Sequence, residues 1–414
     1  MNAQILQLVK ERPSITLSEA VKDSHLYSVF QPIYSFSNQA CIGAEALVRG
    51  RTKISGKSMK AADCLQPPEG VSKADYARLI NRMHLSHWKE TRPPDSWLFL
   101  NLDFENVSSL NEFCLGDLLS ELEIKGHEVV VEVVESEITD EALFERLIFI
   151  LRELGCLIAL DDFGAGHSNI DRIWKAQPDI VKLDRQVLLE ATKSMRSQSI
   201  LRNLTQLIQQ AGSISLLEGI ETESQALLAM DAGVDLVQGF YFARPDALLS
   251  TVEKGQKCIQ HTTESYPAYV AEKHFVKQIQ KKGYETLFES FSLLNDFNDL
   301  EAEMKKLSSL SFVKRFFILD EFGYQISEED ESSVKTMDIL KKGKGLCWKN
   351  RPYFTSAMQN THEVCVSEPY RSLIDMQLCL TVSKTVEFNS GQCLVACFDV
   401  YYHDKSIETV QISV

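Results

Sequence analysis

The feature that most limits the possible folds of this chain is a series of short apolar segments within its first 245 residues. Eight such segments occur: "YSVFQPIYSF" (27–36), "CIGAEALVR" (41–49), "WLFLNLD" (97–103), "EVVVEVVE" (128–135), "CLIALDD" (156–162), "DIVKLD" (179–184), "SISLLEG" (213–219) and "VDLVQGF" (234–240). From the third segment onward, helical sequences separate them. Continuously apolar strands that alternate with helices are typical of a parallel sheet covered by helices. Eight of them predict an α/β fold, a closed (β/α)8 barrel of the TIM type.

Two local patterns refine this prediction. The segment "DEALFERLIFILREL" (140–154) has apolar residues at Leu143, Leu147, Ile150 and Leu154, which lie on one face of a helix. The first two strands are joined only by "SNQA" (37–40), which is too short for a crossover. The first strand is therefore expected to run antiparallel to the second, which makes the barrel irregular at its start.

Polar residues interrupt these apolar strands at or near their carboxyl ends, where barrel enzymes place their catalytic groups. They are Glu45, Asn101, Glu132, Asp161, Asp162, Lys182, Glu218 and Gln238. One buried acid is compatible with a structural role in which it accepts backbone hydrogen bonds. Five acids on one rim would repel one another strongly, and bound cations are the usual remedy. The pattern therefore indicates a metal site.

The types of ligand favour a hard divalent ion. Carboxylates and an amide oxygen suit Mg²⁺ or Mn²⁺, and the absence of an HExxH motif or a Cys/His cluster argues against zinc. A site with two such ions is suited to displacement at phosphorus. Lys182 would be kept charged among the acids, where it would orient a water or stabilise the transition state, or only balance charge. His167, in a Gly-rich turn, is expected to face solvent.

Composition excludes several classes of protein. The net charge of −15 argues against a protein that binds nucleic-acid polymers, although a small anionic ligand is compatible with it if metals offset the charge. The ten cysteines are scattered without a CxxC pair, which is typical of free thiols in a cytoplasmic protein. The sequence has no signal-peptide pattern and no apolar run of about 20 residues. We expect a soluble, cytoplasmic protein without membrane insertion.

The pattern changes after the barrel. We expect an N-terminal helix at 1–24, the barrel at 25–250, a helical linker at 251–285 and a second, α+β domain at 286–414. The second domain contains apolar segments of β character: "FVKRFFILDEFGYQIS" (312–327), "QLCLTVSKTVEF" (377–388) and "QCLVACFDVYY" (392–402).

The barrel region resembles the EAL-domain phosphodiesterases, which hydrolyse cyclic di-GMP. The resemblance covers residues 25–250 and includes eight motifs in order: "QPI" (31–33), "EALVR" (45–49), "LNLD" (100–103), "EVVE" (132–135), "DDFGAGHS" (161–168), "VKLD" (181–184), "EGIE" (218–221) and "QGFYFARP" (238–245). The family implies cleavage of one phosphodiester bond to give linear pGpG, two Mg²⁺ or Mn²⁺ ions and a homodimer.

The resemblance also implies roles for individual residues. Four ligands of the first metal are implied, with Asp161 shared between the two ions: Glu45, Asn101, Glu132 and Asp161. Asp162 serves the second ion, Lys182 lies near the attacking water, and Glu218 is a further metal-site acid. Glu45, Asp161, Lys182 and Glu218 form the implied catalytic group. The implied substrate-binding residues are Gln31, Leu47, Arg49, Asp184, Glu221 and Gln238.

Glu135 resembles a family glutamate that does not bind metal but stabilises the loop at 163–169. The chain departs from the family around this loop, with Val134 where Thr is usual, His167 where an aromatic is usual and Asn169 where Ser is usual. These changes are expected to alter the rate or its regulation without removing the metal site.

The C-terminal part resembles sensory domains of the Cache/PAS class. The resemblance lies in "WKNRPYF" (348–354), "VSEPYRS" (366–372), "LTVSKTV" (380–386) and "ACFDVYY" (396–402). In such domains aromatic residues, an Arg and an Asp line a pocket for a small ligand. The corresponding residues here are Trp348, Arg351, Tyr353, Tyr370 and Asp399. The alternative is a plain α+β domain in which these aromatics are core residues.

Three functions remain open from the sequence. The first is an active phosphodiesterase that the sensory domain regulates. The second is a catalytically weak or inactive receptor that binds cyclic di-GMP, although such receptors usually lack some ligands or the lysine, all of which are present here. The third is a barrel glycosidase, whose two carboxylates would leave the other acids and Lys182 unexplained.

Overall fold

The structure is a computed structural model that describes residues 24–102, 115–134, 141–165, 170–247, 252–328 and 343–402. It divides into two compact units, residues 1–269 (unit 1) and 270–414 (unit 2). The predicted N-terminal helix at 1–24 lies outside the described residues except for Ser24, as do Glu135, His167 and Asn169. The side chain of Val134 is also outside them.

Unit 1 is built around a closed barrel of eight strands in sequence order. The strands are β1 (Ser24–Ser35), β2 (Ala40–Thr52), β3 (Trp97–Asn101), β4 (Val129–Val134), β5 (Leu157–Phe163), β6 (Ile180–Leu183), β7 (Ile214–Leu217) and β8 (Leu236–Val237). Strand β1 is antiparallel to both β2 and β8, whereas all other neighbours are parallel. The predicted α/β barrel with an antiparallel first strand is therefore confirmed.

The described helices of unit 1 lie between these strands. They are α1 (Ala61–Cys64), α2 (Lys73–Thr91), α3 (Leu115–Glu121), α4 (Glu141–Glu153), α5 (Ile170–Ala176), α6 (Arg185–Ala191), α7 (Met195–Gln210), α8 (Glu223–Asp231) and the start of α9 (Val252–Glu285). A short 3-10 helix, Gly126–Glu128, precedes β4. None of the helices among the described residues is long and apolar enough to span a membrane.

Helix α4 shows where the predicted apolar face agrees only in part with the structure. Of the predicted residues, Leu147 is fully buried, Leu143 and Leu154 pack against the core while partly buried, and Ile150 is half-buried. The other fully buried residues are Phe144, Ile148 and Leu151. The helix therefore turns the neighbouring part of its apolar surface, including the phenylalanine, toward the barrel.

Unit 2 contains an antiparallel sheet of five strands in the order β10-β12-β13-β9, with β11 paired to β12. The strands are β9 (Val313–Leu319), β10 (Cys365–Val366), β11 (Tyr370–Arg371), β12 (Leu378–Glu387) and β13 (Cys393–Tyr401). Helix α9 ends at Glu285 and continues as a 3-10 helix, Thr286–Leu293. The other described helices are α10 (Phe297–Leu307) and α11 (Pro352–Gln359).

The sheet of unit 2 is covered on both faces. Phe288, Phe291 and Met304 pack with Phe398 in one cluster, and Tyr353 and Phe354 of α11 pack in another cluster with residues of β9 and β13. Long apolar runs in β9 and β13 follow from this arrangement, because a strand covered on both faces has no solvent-facing side.

Candidate active site at the carboxyl end of the barrel

The polar residues of the site form a layer directly above an apolar layer inside the barrel. The apolar layer comprises Ile33, Phe99, Val130, Ala159, Ile180, Leu216 and Leu236. Because side chains alternate along a strand, the residue two positions further on points to the same side. Counting two positions toward the carboxyl end of β3 to β8 gives the polar residues predicted from sequence: Asn101, Glu132, Asp161, Lys182, Glu218 and Gln238. The structure therefore brings these six residues to one end of the barrel.

Lys182 lies at the centre of the acidic residues. Its Nζ is 2.5 Å from Oε1 of Glu132, 3.0 Å from Oδ1 of Asp161 and 2.8 Å from Oε1 of Glu218. The lysine side chain is 1% exposed, so water screens these interactions weakly. Burial alone would lower the pKa of Lys182, but Glu132, Glu218, Glu45 and Asp161 outweigh it and hold that pKa well above its usual range. The lysine is therefore a fixed positive charge.

Glu132 is the most deeply buried acid of the site, with 0% of its side chain exposed. Neither carboxylate oxygen has a hydrogen bond of good geometry, although Oε1 is close to the Lys182 ammonium. Burial, together with the charges of Glu45 and Asp161, raises the pKa of Glu132 well above its usual range despite the opposing effect of Lys182. A buried carboxylate with an unpartnered oxygen is costly unless a further cation or donor is supplied.

Glu218 lies just beyond β7, where its backbone N–H donates to Leu183 O at 3.1 Å. Burial raises its pKa to about 7, and nearby Asp161 and Glu45 raise it as well, while Lys182 opposes the shift. Its Oε1 has no hydrogen bond of good geometry despite its short distance to the lysine. The acids of the site therefore outnumber the positive charge available to them.

Glu45 of β2 is hydrogen-bonded to residues at the ends of two other strands, β3 and β8. Its Oε1 accepts from Asn101 Nδ2 at 3.3 Å, and its Oε2 accepts from Gln238 Nε2 at 2.8 Å. The Oε1 atom of Gln238 is buried without a partner. Gln31 lies directly opposite Glu45 in the register of β1 and β2. Leu47 and Arg49 follow Glu45 at alternate positions of β2 and share its face.

The two aspartates at the end of β5 occupy an irregularity in the sheet. The β5–β6 register shifts between Leu160 and Phe163, and Asp162 has a φ of 55°, which Asp tolerates better than most residues. As a result Asp161 faces the lysine, while Asp162 is exposed. The backbone N–H of Asp162 donates to Asp161 Oδ1 at 2.9 Å. Burial and the neighbouring Asp161 raise the pKa of Asp162.

Two predicted substrate residues have structural partners at the rim. Asp184 is the N-cap of α6, and its Oδ1 accepts from Gln186 N–H at 2.7 Å. Glu221 Oε1 pairs with Arg185 Nη2 at 2.9 Å. The sequence analysis missed Arg185, although an Arg that follows a strand-end motif was visible in "VKLDR" (181–185).

Gly239 is required for the two last strand ends to come together. A Cβ at this position would lie 2.0 Å from the backbone oxygen of Ile220, so only glycine allows this approach. The close contact is supported by hydrogen bonds from Ile220 N to Gln238 O and from Tyr241 N to Ile220 O, at 3.1 and 3.0 Å. The glycine of the "QGF" motif thus positions Gln238 beside the acids.

The donor set fits a hard divalent cation, since it consists of carboxylate and amide oxygens, several of them buried and unpartnered. Within the described ranges, no three His, Cys, Asp or Glu side chains converge as closely as ligands of one ion. The Lys182 ammonium explains this, because three of the carboxylates are arranged around it.

The five predicted pocket residues of unit 2 also come together. Trp348, Arg351, Tyr353, Tyr370 and Asp399 all line one pocket, whose empty volume is about 380 Å³ including the part open to solvent. The pocket has further lining residues that the sequence analysis missed, among them Arg315, Gln325 and Ser372. A charged residue within the apolar segment "VKRFFIL" (313–319) was the signal for Arg315, since a buried charge requires a partner.

Fold and site together define the class of this protein: a (β/α)8 barrel with an antiparallel first strand and an acidic, oxygen-rich centre around a buried lysine. The EAL domain family model matches residues 15–245, more than half of the chain. The chain therefore belongs to the EAL domain family.

Curated relatives are similar at low identity. The cyclic di-GMP phosphodiesterase RocR of Pseudomonas aeruginosa is 27% identical over 250 residues, which cover 57% of this chain and 62% of RocR. The oxygen sensor protein DosP of Escherichia coli is 26% identical over 251 residues, 58% of this chain and 31% of DosP. The chain thus spans less than two thirds of the length of either relative.

One relative is similar over most of both chains. The uncharacterized EAL-domain containing protein YkuI of Bacillus subtilis is 26% identical over 377 residues, 86% of this chain and 90% of YkuI. A crystal structure of YkuI in complex with cyclic di-GMP and calcium superposes with a TM-score of 0.72 at 22% identity, covering 92% of this chain and 97% of that one. The fold likeness therefore includes the region after the barrel.

Proposed function

We propose that this protein is a cyclic di-GMP phosphodiesterase that opens one phosphodiester bond of its substrate and releases linear pGpG. The observation that carries the proposal is the buried Lys182 among Glu132, Asp161 and Glu218, together with Oε2 of Glu132, which has no partner among the described residues. Family membership and the relative named as a cyclic di-GMP phosphodiesterase support it.

In this proposal the site takes two divalent ions, Mg²⁺ or Mn²⁺. Glu45, Asn101, Glu132 and Asp161 would hold the first ion. Asp161 would be shared with the second ion, which Asp162 would also bind, and Glu218 would be a further acid of the metal site. When bound, such ions lower the pKa of water and stabilise negative charge on phosphate oxygens. The calcium in the YkuI complex agrees with the use of a divalent ion by this fold.

The protein's own groups then have separate tasks. Lys182 stays protonated and donates hydrogen bonds toward the oxygen that attacks phosphorus, in a site that screens charge weakly. Arg49 presents its forked donors to a phosphate oxygen, since its guanidinium makes only one described hydrogen bond, from Nη1 to Val48 O at 2.8 Å. Gln31, Leu47 and Gln238 line the substrate side of the same barrel end.

Asp184 and Glu221 act indirectly in this proposal. Asp184 caps the start of α6 and Glu221 pairs with Arg185, and through these contacts both would shape the substrate side of the rim. Glu135, predicted to stabilise the loop at 163–169, lies outside the described residues, and its role stays a prediction.

The decisive experiment is to incubate the purified chain with cyclic di-GMP and, separately, Mg²⁺, Mn²⁺ or no metal, and to identify the product by mass spectrometry. We expect linear pGpG only with metal. Glu45→Ala should abolish turnover, because its carboxylate is read as a ligand. The control Glu153→Gln, an exposed acid of α4, should leave turnover unchanged.

The alternatives give different results in the same experiment. Tight binding of cyclic di-GMP without any product would identify the inactive receptor. Hydrolysis of a glycoside that continues in the presence of a metal chelator would identify the glycosidase. Near-normal hydrolysis by Glu45→Ala would contradict the metal-site assignment.

We further propose that unit 2 is a sensory domain of the Cache/PAS class that regulates the barrel through a small ligand. Its antiparallel sheet and the pocket lined by Trp348, Arg351, Tyr353, Tyr370 and Asp399 support this role. A change in turnover on ligand addition, lost when the pocket is altered, is the test.

A homodimer and a cytoplasmic location complete the proposal. Phe149 of α4 and Trp174 of α5 are 65% and 69% exposed, which is unusual for large apolar side chains outside an interface. Sedimentation velocity should show a dimer that Phe149→Glu weakens, and cell fractionation checks the location.

A further inference from the structure

Unit 2 contains a buried polar network that the sequence analysis did not foresee. Arg315 of β9 donates to Asp399 Oδ2 from Nε at 2.7 Å and also from Nη2, and it contacts Ser372 through Nη2. Thr381 and Tyr370 donate to the other oxygen, Oδ1, at 2.7 and 3.1 Å. The network lies against the pocket, which Arg315, Tyr370, Ser372 and Asp399 all line.

Asp399 has little acceptor capacity left for a ligand. A carboxylate offers about four lone-pair sites, and Oδ2 of Asp399 accepts twice from Arg315. Its Oδ1 lies 2.7 and 3.1 Å from the hydroxyls of Thr381 and Tyr370, which are also 2.7 Å from each other, so two hydroxyl protons serve three contacts. The residue is also fully buried. We therefore expect Asp399, which was predicted to contact a ligand, to orient Arg315 rather than to bind a cationic group such as an amine.

Donor capacity, in contrast, remains. Nη1 of Arg315 is buried, and it has no hydrogen-bond partner among the residues that the structure describes. Ser372 accepts at its Oγ from Arg315 and from Ile374 N–H, so its own hydroxyl proton is available. Arg351 lines the same pocket and, among the described residues, no acidic side chain pairs with it; its guanidinium lies 5.9 Å from the centre of the Trp348 ring. Helix α11, which begins after Arg351, has no side-chain cap.

The net charge of the pocket lining is positive, which also favours an anionic ligand. Arg315 and Arg351 are positive and Asp399 is negative, and no other charged side chain lines the pocket within the described part of the chain. The net charge of +1 is complemented by a monoanion. The remaining wall is largely apolar and aromatic, with Phe317, Trp348 and Tyr353 among its residues.

We infer that the pocket of unit 2 binds a small monocarboxylate with an apolar or planar body, with its carboxylate on Arg315, Arg351 and Ser372 and its body against the aromatic wall. Forked Arg donors match a carboxylate in two-bond geometry, and a single buried anion would satisfy the donors that the network leaves free. The inference deepens the proposed sensory role of unit 2, but the binding itself does not depend on hydrolysis.

Three isosteric probes test the charge of the ligand. Benzoate, benzamide and benzylamine are added to the full chain up to about 10 mM, and binding is measured by saturation-transfer NMR and by the shift in Tm. We expect benzoate to bind and to raise Tm, and the other two to do neither. Acetate and pyruvate, which lack the ring, should bind more weakly than benzoate.

Variants locate the binding. Arg351→Met should weaken benzoate binding at least about tenfold, whereas Arg371→Met, an Arg outside the pocket, should not change it. Arg315→Met alone would leave Asp399 as an unpaired buried charge and is prone to unfolding. The double variant Arg315→Met/Asp399→Leu removes both charges, while Tyr370 and Thr381 keep each other as partners at 2.7 Å. We expect it to fold and to lose benzoate binding.

The inference would be overturned if benzylamine or benzamide bound as tightly as benzoate, or if inorganic phosphate bound better than every carboxylate. It would also be overturned if no carboxylate bound, or if both pocket variants still bound benzoate. Failure of the phosphodiesterase proposal is seen separately, since it appears as absent pGpG while benzoate binding persists. Lys182→Met, a variant of the barrel, should bind benzoate as the unaltered chain does.

Discussion

The two units each bury a cluster of charged side chains, but the surplus charge has opposite sign. In the barrel one lysine faces Glu132, Asp161 and Glu218, and oxygens of Glu132 and Glu218 lack good hydrogen bonds. In the pocket of unit 2 the one lining acid, Asp399, is bound by Arg315 and Thr381, and one nitrogen of Arg315 lacks a partner among the described residues. Unsatisfied acceptors attract cations, and unsatisfied donors attract anions. The difference therefore indicates which kind of ligand each site is built to take.

The largest expected effect comes from removing the positive charge of the barrel cluster. Lys182→Met should lower turnover by at least about 1000-fold. In EDTA it should lower the free energy of unfolding by about 3–5 kcal/mol, because it leaves buried carboxylates without a counter-charge. Urea denaturation and product assays check both values.

A surface lysine serves as the control. Lys175→Met removes the ion pair with Glu141 at 2.6 Å, which water and salt screen because both partners are partly exposed, and it should change the free energy of unfolding far less than Lys182→Met does. Equal losses of stability in Lys175→Met and Lys182→Met would show that the barrel cluster does not depend on its central charge.

The second prediction concerns Asp399, the buried acid that pairs with Arg315 in unit 2. Asp399→Leu leaves Arg315 buried without its counter-charge and should lower the free energy of unfolding by about 3 kcal/mol. Adding Arg315→Met should restore much of this loss, since neither charge is then buried. A double-mutant cycle by chemical denaturation measures the coupling, and additive losses would contradict the pairing.

A third buried titratable group has no opposite charge beside it among the described residues. His84 of α2 shares a hydrogen bond with Ser28 Oγ, at 2.8 Å from Nδ1, and burial together with His87 lowers its pKa to about 3. Since the unfolded pKa is about 6.5, the unfolded state binds more protons below that pH. As the pH falls below 6.5, the free energy of unfolding should therefore decrease by about 1.4 kcal/mol per pH unit, or about 2 kcal/mol from pH 6.5 to pH 5.

The check is to compare this pH dependence with that of His84→Gln, which has no titrating ring. The difference in unfolding free energy between the two proteins should change across this pH window and be constant above pH 7. A constant difference at all pH values would mean that His84 is protonated in the folded protein.

The smallest expected effect separates capping from substrate binding at the rim. Asp184→Ala should lower stability by about 1 kcal/mol through loss of the N-cap of α6, whereas Asp184→Asn, an equally good cap, should not. Both variants should leave KM for cyclic di-GMP near its original value. A large rise in KM for Asp184→Asn would return this residue to the substrate-binding group.

The sequence was informative wherever a pattern is local. Apolar segments bounded by helices predicted the eight strands, and the four-residue link "SNQA" at 37–40 predicted the antiparallel hairpin. Alternation along each strand then placed the residues two positions beyond the inner apolar layer on the same side. On α4 the prediction located the buried face only in part, because the helix has more apolar residues than one face holds and nothing local ranked them.

The sequence by itself determined that this chain forms a barrel whose strand ends bear acids, an amide and one lysine, because the two-residue period of a strand makes orientation a local property. Only the tertiary structure decided which atoms have partners. Asp399 and Arg351 were both visible as polar residues near aromatic ones, but Asp399 is bound by Arg315 from another strand, whereas Arg351 has no acidic partner in the described part of the chain. Hydrogen bonding and ion pairing between distant segments depend on distances that no local pattern contains, and in both units those distances determine the sign of the charge left over.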